Sequence, residues 1–563
     1  MTIKEQHITN AKWWKEVIVY QLYPRSFKDS NGDGIGDLKG IIAKLDYIKS
    51  LGVDVVWINP IYQSPNDDMG YDISDYQAIM QQFGTMEDFD LLLKGLHGRG
   101  IKLMMDLVIN HTSDEHVWFK ESRKSRDNPF RNYYHWWDAE KGSPPYRWSI
   151  FDKESTAWKY DAVTNSYYFH IFSEKQPDLN WENPQVRKEV YDMMKFWMNK
   201  GIDGFRLDVI PCISKDISFP VLSTLMGIGD WFPYYAKGPA LHQHLHEMNK
   251  EVFSKYNCMT VGEGSGVAIE DALLFVDEDR NELQTLHHFE HVGFGISKEN
   301  FLYADDTNRD LVQWKKIFDR WDKIFSEKGW GTIYLGNHDQ SRMVSRFGND
   351  SEAYREVSAK MLHTFLLSMR ATPYIYNGDE IGMVNTNHTN IEAYQDLFTI
   401  NYYNQLKNEG GDAGAFLQSH ACISRDNGRT PMQWNDEPQA GFTTGTPWLA
   451  IHNNYTKLNV AHQENNPDSV LNYFRRMVQL RKENLTLVYG SFTLIDETNQ
   501  QLFAYTRALD QRQLLVVLNF SDKDAILNST IDLTNCKVCI SNYQEPSKNN
   551  LFKAYEAVIY QLK

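Results

Sequence analysis

Short runs rich in β-branched and aromatic residues alternate with helical patterns over most of this chain, and run after run ends on a charged or polar side chain. No other feature constrains the fold as strongly. Strands separated by helices pair in parallel, because the chain must cross back over the sheet between them. The runs are VIVYQLY (17–23), VDVVWINPI (53–61), IKLMMDLVINH (101–111), IDGFRLDVI (202–210), CMTVGEG (258–264), LQTLHHFEH (283–291), GTIYLGNHD (331–339) and TPYIYNGDEIG (372–382). Leu38, Ile41, Ile42, Leu45, Ile48 and Leu51 lie at helical spacing up to Gly52, and 86–100 is a second helix with a glycine stop. Further helices are expected around 240–255 and over 468–484. Eight strands and about eight helices fit an α/β fold of the (β/α)8 TIM-barrel kind.

Two stretches break the rhythm. Residues 111–182 are irregular and rich in Trp, Tyr, Ser, Asp and Pro. That is too long for a loop, so a small domain is expected after strand three. The tail from 487 alternates (FTLIDE, QLFAYTRAL, LLVVLNFS, AVIYQL) and predicts a C-terminal antiparallel β-domain of sandwich type. The expected division is a barrel of 1–110 and 183–486, an inserted domain of 111–182 and a C-terminal domain of 487–563. No internal repeat or low-complexity segment is apparent.

Composition narrows the function. Of 563 residues, 42% are hydrophobic, enough for a sizeable core. Lys plus Arg is 58 against 74 for Asp plus Glu, a net charge of −16, which argues against nucleic acid or an anionic membrane as partner. Aromatics at 13% permit neutral sugars, whose faces stack on rings. The first residues have no apolar core of signal-peptide length, and no window has the ~18 apolar residues that span a bilayer. The five cysteines (Cys212, Cys258, Cys422, Cys536, Cys539) are odd in number and scattered. A cytoplasmic location is therefore expected. Cys536 and Cys539 form a CxxC without a second pair, so buried strand cysteines are the better reading than a metal or redox site.

In a barrel of this kind chemistry sits where strands end. Asp106 and His111 end strand three, Arg206 and Asp208 strand four, Glu263 strand five, and His338 and Asp339 strand seven. A lone acid after a strand is usually a helix cap or a solvated loop residue; several on one rim are not. Glycosidic cleavage needs two carboxyl groups across the bond, one protonated and one ionised. Arg206 and Asp208 are two apart, so in a strand they share a face, and the guanidinium is expected to keep Asp208 ionised. Glu263, between two glycines, is expected to be desolvated and raised in pKa, as an acid should be.

DLVINH (106–111), GFRLDVI (204–210), TVGEG (260–264) and LGNHD (335–339) resemble the four conserved regions of glycoside hydrolase family 13, the α-amylase family. QPDLNWENP (176–184) resembles the fifth region of its oligo-1,6-glucosidase group. The resemblance covers nearly the whole chain. It implies Asp208 as nucleophile, Glu263 as acid/base and Asp339 as transition-state stabiliser, with retention of the α-anomer. NDDMGYDISDY (66–76) is similar to the segment that closes the non-reducing end of the site, implying that Asp68 binds glucose O4 or O6 and Tyr71 stacks on the ring. In RDNGRTPMQW (425–434), Arg429 resembles the arginine that pairs with that aspartate; the family usually reads Ala at Gly428, where little change is expected beyond more backbone freedom. A pocket blocked by a charged pair implies an exo-acting enzyme. His111 and His338 are then expected on sugar hydroxyls, with Phe172 and Gln176 lining the pocket. Phe151 is an aromatic wall or ordinary core.

Valine after the nucleophile, Val209, resembles the α-1,6 type; its β-branch narrows the leaving-sugar site. The expectation is an α-glucosidase acting on isomaltose-like oligosaccharides, as a monomer or weak homodimer. The alternatives are trehalose-6-phosphate hydrolysis or a glucosyl-transferring enzyme with α-1,4 activity. The former needs a phosphate clamp, and 211–240 offers only Lys215 and Lys237. A non-catalytic sugar-binding or transporter-associated homologue ranks last, because all three acids are kept. DSNGDGIGD (29–37) places Asp29, Asn31, Asp33, the Ile35 carbonyl and Asp37 around Gly34. Alternate oxygen donors match the first part of an EF-hand loop, but the closing Glu is absent, so this is no EF-hand. It resembles the calcium loop of the oligo-1,6-glucosidase group and implies structural Ca2+; a metal-free Asx/Gly turn is the other reading.

Overall fold

The computed structural model describes residues 11–151, 156–222 and 234–563. The first ten residues, part of the stretch read for a signal, lie outside these, as does part of the 211–240 stretch searched for a phosphate clamp. The eight barrel strands are β1 (Val19–Leu22), β2 (Val55–Ile58), β3 (Lys102–Leu107), β4 (Gly204–Leu207), β5 (Met259–Glu263), β6 (Thr285–His287), β7 (Thr332–Ile333) and β8 (Thr372–Tyr376). All pair in parallel, in the order β6-β5-β4-β3-β2-β1-β8-β7. A parallel bridge between Leu286 and Gly331 closes the ring.

Strand periodicity sorts the side chains. Val19, Val55, Trp57, Met104, Met259 and Val261 form one buried cluster inside the barrel. Their neighbours Tyr20, Val56, Leu103, Met105, Phe205 and Leu207 point the other way, into the large core under the helices. Two residues beyond Met104 lies Asp106, and two beyond Val261 lies Glu263. The same alternation that fills the barrel therefore carries the acids to its C-terminal rim, above an apolar floor.

The predicted strands are all present but shorter than their apolar runs. β7 ends at Ile333, so His338 and Asp339 stand on the following loop rather than at a strand end. The helical run 38–51 is two helices, Leu38–Ile42 and Leu45–Ser50, separated at Ala43–Lys44. Residues 86–97 form the expected helix, opened by a Thr85/Asp88 capping box. Between β3 and β4 lies a three-stranded antiparallel sheet, with Ser166–Phe169 between Trp136–Asp138 and Trp158–Asp161. After the helix Val470–Lys482 comes a five-stranded antiparallel sheet of Ser491–Ile495, Leu502–Leu509, Arg512–Asn519, Ala557–Gln561 and Lys537–Ser541. The last of these strands lies where the CxxC pair was read as strand cysteines. It carries Cys539, with Cys536 just before it; both are half-buried rather than buried, and all five cysteines are free. Among the described residues no helix is long and apolar enough to cross a membrane.

Candidate active site

Arg206 organises the rim. Its Nη1 donates to Asp106 (2.8 Å) and to Asp208 (2.5 Å), and its Nη2 reaches Glu263 (2.8 Å). The guanidinium is 2% exposed and lies over the Trp57 ring at 5.2 Å. Parallel register sets this up, since Asp106 pairs directly with Arg206, and Arg206 with Val261, two residues before Glu263. One cation thus serves three buried carboxylates. Burial pushes the Asp208 carboxyl well above the ordinary range; Arg206 opposes this, while Glu263 and Asp106 add to it. The guanidinium expected to keep Asp208 ionised is divided among three acids, so it opposes the rise without cancelling it. Asp208 and Glu263 thus meet the same guanidinium from neighbouring strands.

Val209 follows at φ 34°, ψ 42°, a left-handed conformation that a β-branched residue rarely adopts. The bend turns its backbone N–H onto Glu263, donating at 2.7 Å. Such a backbone costs about 1–3 kcal/mol, and here it fixes the Glu263 carboxyl against the end of the strand that carries Asp208. Periodicity gave no sign of this bend.

Asp339 has a different environment. Its Oδ1 receives Arg425 (3.1 Å) and Arg429 (3.0 Å), and its Oδ2 faces His338 Nε2 (3.0 Å). Burial works against ionisation, but His338, Arg425 and Arg429 prevail and hold its carboxyl well below the usual range. Arg429 also donates to the His338 carbonyl (2.8 Å). The ion pair expected between Arg429 and Asp68 is thus replaced by one with Asp339; Arg429 reaches Asp68 only through its field. Sequence reasoning passed over Arg425, which also grips Asp396 and lies over the Phe151 ring at 5.6 Å. The signal was available: Arg425 and Arg429 are four apart in a helical turn and share a face. Gly428, between them, is a close approach rather than a loose point, because a Cβ there would lie 2.3 Å from the Gln340 carbonyl oxygen.

The pocket roof comes from two loops. Asp68 accepts from Gln176 Nε2 (3.1 Å), which also faces His111 Nε2 (3.3 Å). Burial raises the Asp68 carboxyl to about 7, against Arg425 and Arg429. His111 is driven down to about 4 by burial, so it is a neutral donor–acceptor. Tyr71 lies parallel to His338 with centroids 5.3 Å apart, and its hydroxyl meets His338 (2.6 Å), Asn59 (2.8 Å) and Asp106 (3.1 Å). Phe172 packs on His111 (5.3 Å) and on Phe151 (5.4 Å). Phe151 belongs to an aromatic cluster that also includes Phe398 and Phe416.

The 29–37 loop packs against 442–447. Asp29 accepts from the N–H groups of Asn31, Gly32 and Gly34 (each 2.8 Å) and from Thr443. Asp37 accepts from Ser30 and Gly40, and Asp33 from the Ile35 N–H at 2.9 Å. Gly34 is left-handed (φ 91°), and a Cβ there would strike the Thr446 carbonyl oxygen. The donors of Asp29, Asn31, Asp33, Ile35 and Asp37 are all oxygens, a set that suits a hard cation. Among the described residues no three His, Cys, Asp or Glu side chains converge as a ready metal cluster.

Comparison with known proteins agrees with this geometry. Residues 21–490 match the family model described as the alpha amylase catalytic domain. The chain is 50% identical to the oligo-1,6-glucosidase of Bacillus cereus, over 98% of this chain and 100% of that one. It is 43% identical to the trehalose-6-phosphate hydrolase of Bacillus subtilis strain 168, over 98% of each. Among solved structures, the isomaltulose synthase of Protaminobacter rubrum superposes with a TM-score of 0.94 at 42% identity, covering 98% of this chain and 100% of that one. An arginine that binds three carboxylates of a closed parallel barrel, in a chain matched along its whole catalytic region, leaves one assignment: the protein belongs to the α-amylase family, glycoside hydrolase family 13.

Proposed function

We propose that this glycoside hydrolase is a retaining, exo-acting α-glucosidase that removes terminal glucose from short oligosaccharides and prefers α-1,6 bonds. The observation that carries the reading is the grip of Arg206 on both Asp208 and Glu263, with Asp339 held ionised beside them. Glu263 gives its proton to the glycosidic oxygen, so the leaving sugar departs as an alcohol while an Asp208 oxygen bonds to C1. Glu263 then takes a proton from water, the resulting hydroxide attacks C1, and Asp208 leaves as carboxylate. Two inversions return the α-anomer. The first step requires a protonated Glu263 and an ionised Asp208. A glycosidic oxygen beside Glu263 accepts that proton, and positive charge growing at C1 favours ionised Asp208. Asp339 stabilises the same charge.

Asp68 at the roof caps the terminal sugar, with Gln176, His111 and Tyr71 around it. Its carboxyl near pH 7 gives a direct prediction. In an Asp208→Asn background, isomaltose binding weakens several-fold as pH falls through about 7, because protonation removes a charged acceptor. Calorimetric affinities that stay flat across that range would reject this role.

Preference for α-1,6 bonds rests on Val209 and on the B. cereus relative named an oligo-1,6-glucosidase. The test is a substrate panel of isomaltose, maltose, sucrose and trehalose-6-phosphate. Isomaltose is expected to lead, and Val209→Thr to lower the isomaltose-to-maltose ratio of kcat/KM by about tenfold. An unchanged ratio removes the argument from Val209; faster turnover of trehalose-6-phosphate removes the reading itself. Against that alternative, Lys215 is buried on Asp178 (2.8 Å) and Asn110 (3.0 Å), and Lys237 pairs with Asp271 (2.9 Å). Lys215 is thus committed to a buried ion pair, which leaves Lys237, in a partly exposed one, too little for a phosphate clamp.

The proposal includes a structural Ca2+ held by Asp29, Asn31, Asp33, the Ile35 carbonyl and Asp37. The ion would neutralise the loop's acids and add nothing to bond cleavage. Calcium is expected to raise the thermal midpoint, chelation to lower it, and Asp33→Ala to abolish the difference; a midpoint indifferent to calcium argues for a metal-free turn. Free cysteines suit a reducing compartment, and we place the enzyme in the cytoplasm as a monomer or weak homodimer acting on small saccharides.

A further inference from the structure

We propose that a row of rings leading out of the pocket is a track for the glucose units beyond the leaving sugar, ending on Phe301; the proposal deepens the glucosidase reading and rests on it. The row begins at His111 beside Asp68 and Gln176. It continues through Phe172 (5.3 Å), Phe151 (5.4 Å) and Phe398 (5.8 Å) to Phe301 (5.4 Å), each figure a centroid distance from the ring before. The last pair is stacked at 25°. Phe172 is half-buried, Phe151 and Phe398 are 8% and 9% exposed, and Phe301 at the outer end is 38% exposed.

The elements explain the arrangement. Phe398 opens the helix Leu397–Asn408, which packs on the same face, one turn later, through Tyr402 onto Phe416. That helix is capped by Asp396, which Arg425 ties to Asp339. The outer rings are therefore fixed relative to the catalytic acids. A single exposed phenylalanine is ordinary on a protein surface. This one ends a continuous row and borders a cavity of about 960 Å³ that reaches Gln340, the residue after Asp339.

The lining chooses the ligand. Phe294, Ile296 and Trp314 give apolar walls, and Ser297, Asn308 and Gln313 give hydroxyl and amide partners. Its charges are of both signs: Lys298, Lys316 and Arg320 against Glu290 and Asp310, with Arg320 paired to Glu290. Such a surface does not select an anion. Aromatic faces with amide rims suit neutral pyranose rings, whose C–H faces stack while their hydroxyls are bonded. The volume lies at the upper end of the roughly 300–1,000 Å³ of ligand sites, room for more than one sugar.

The test compares isomaltose with isomaltotetraose. Isomaltose ends at the leaving sugar, whereas isomaltotetraose reaches the outer rings. Phe301→Ala is expected to lower the isomaltotetraose-to-isomaltose ratio of kcat/KM by about tenfold, and Phe301→Trp to keep it. In the Asp208→Asn background, Phe301→Ala should weaken isomaltotetraose binding by a similar factor, a readout independent of turnover. If wild type cleaves isomaltose but Phe301→Ala leaves both the ratio and the binding unchanged, the track is wrong and the glucosidase reading stands. If wild type cleaves neither sugar, the glucosidase reading has failed first. A loss confined to p-nitrophenyl α-glucoside would mean that the rings take an aryl leaving group, and would overturn the proposal too.

Discussion

Asp208→Asn slows isomaltose turnover by at least about 10⁴-fold, because the amide cannot form the covalent glucosyl intermediate that divides the reaction into two steps. Asparagine keeps the shape and one acceptor oxygen, so the loss should fall on kcat rather than on binding. A second variant checks the chemistry itself. Asp208→Gly vacates the space under C1, and azide should then restore cleavage of an activated aryl α-glucoside. Azide bonds to C1, the aryl alcohol departs, and the product is the β-glucosyl azide. A turnover of Asp208→Asn within tenfold of wild type, in protein free of contaminating glucosidase, would falsify the nucleophile assignment. An α-configured azide product would do the same.

Arg206→Gln is expected to affect both folding and rate. It leaves Asp106, Asp208 and Glu263 facing one another without their cation, all at most 7% exposed. Removing one partner of a buried ion pair costs about 3–5 kcal/mol, because the orphaned charge stays out of water. The urea midpoint should fall accordingly, and kcat/KM by about 10³-fold as the two catalytic carboxyls lose their common reference. Arg206→Lys should recover some stability and little activity, since a single ammonium cannot present two nitrogens to separate carboxylates. A lysine variant with near-normal kcat would show that charge alone suffices and that the shared fork is incidental.

The periodicity of apolar runs gave the barrel well. Val19, Val55, Met104, Met259 and Val261 repeat with a strand's period of two, and their parity carries through to Asp106, Arg206, Asp208 and Glu263. What periodicity does not encode is how carboxylates divide a counter-ion. Asp208 and Arg206 are read correctly as neighbours, yet the charge balance depends on Asp106 and Glu263, which arrive on different strands. The exchange of partners between Arg425, Arg429, Asp339 and Asp68 is hidden for the same reason. It joins segments nearly a hundred residues apart or more, and only the fold fixes which oxygen each guanidinium meets. Strand ends were over-read because apolar runs continue into the loops: Tyr334 and Leu335 are buried but lie beyond β7. Gly428 went the opposite way, its tight contact being with a backbone that sequence does not show.

The twisted backbone at Val209 has an evolutionary consequence. Glycine or asparagine would sit there more comfortably, since both tolerate a left-handed bend. Either exchange would gain stability while surrendering the branched bulk on which the proposed α-1,6 preference rests. Threonine or alanine alters that bulk but inherits the same torsional burden. Routes from one linkage preference to another through this position therefore run between residues that fit the backbone poorly, and mutational libraries screened for heat resistance alone will drift away from them.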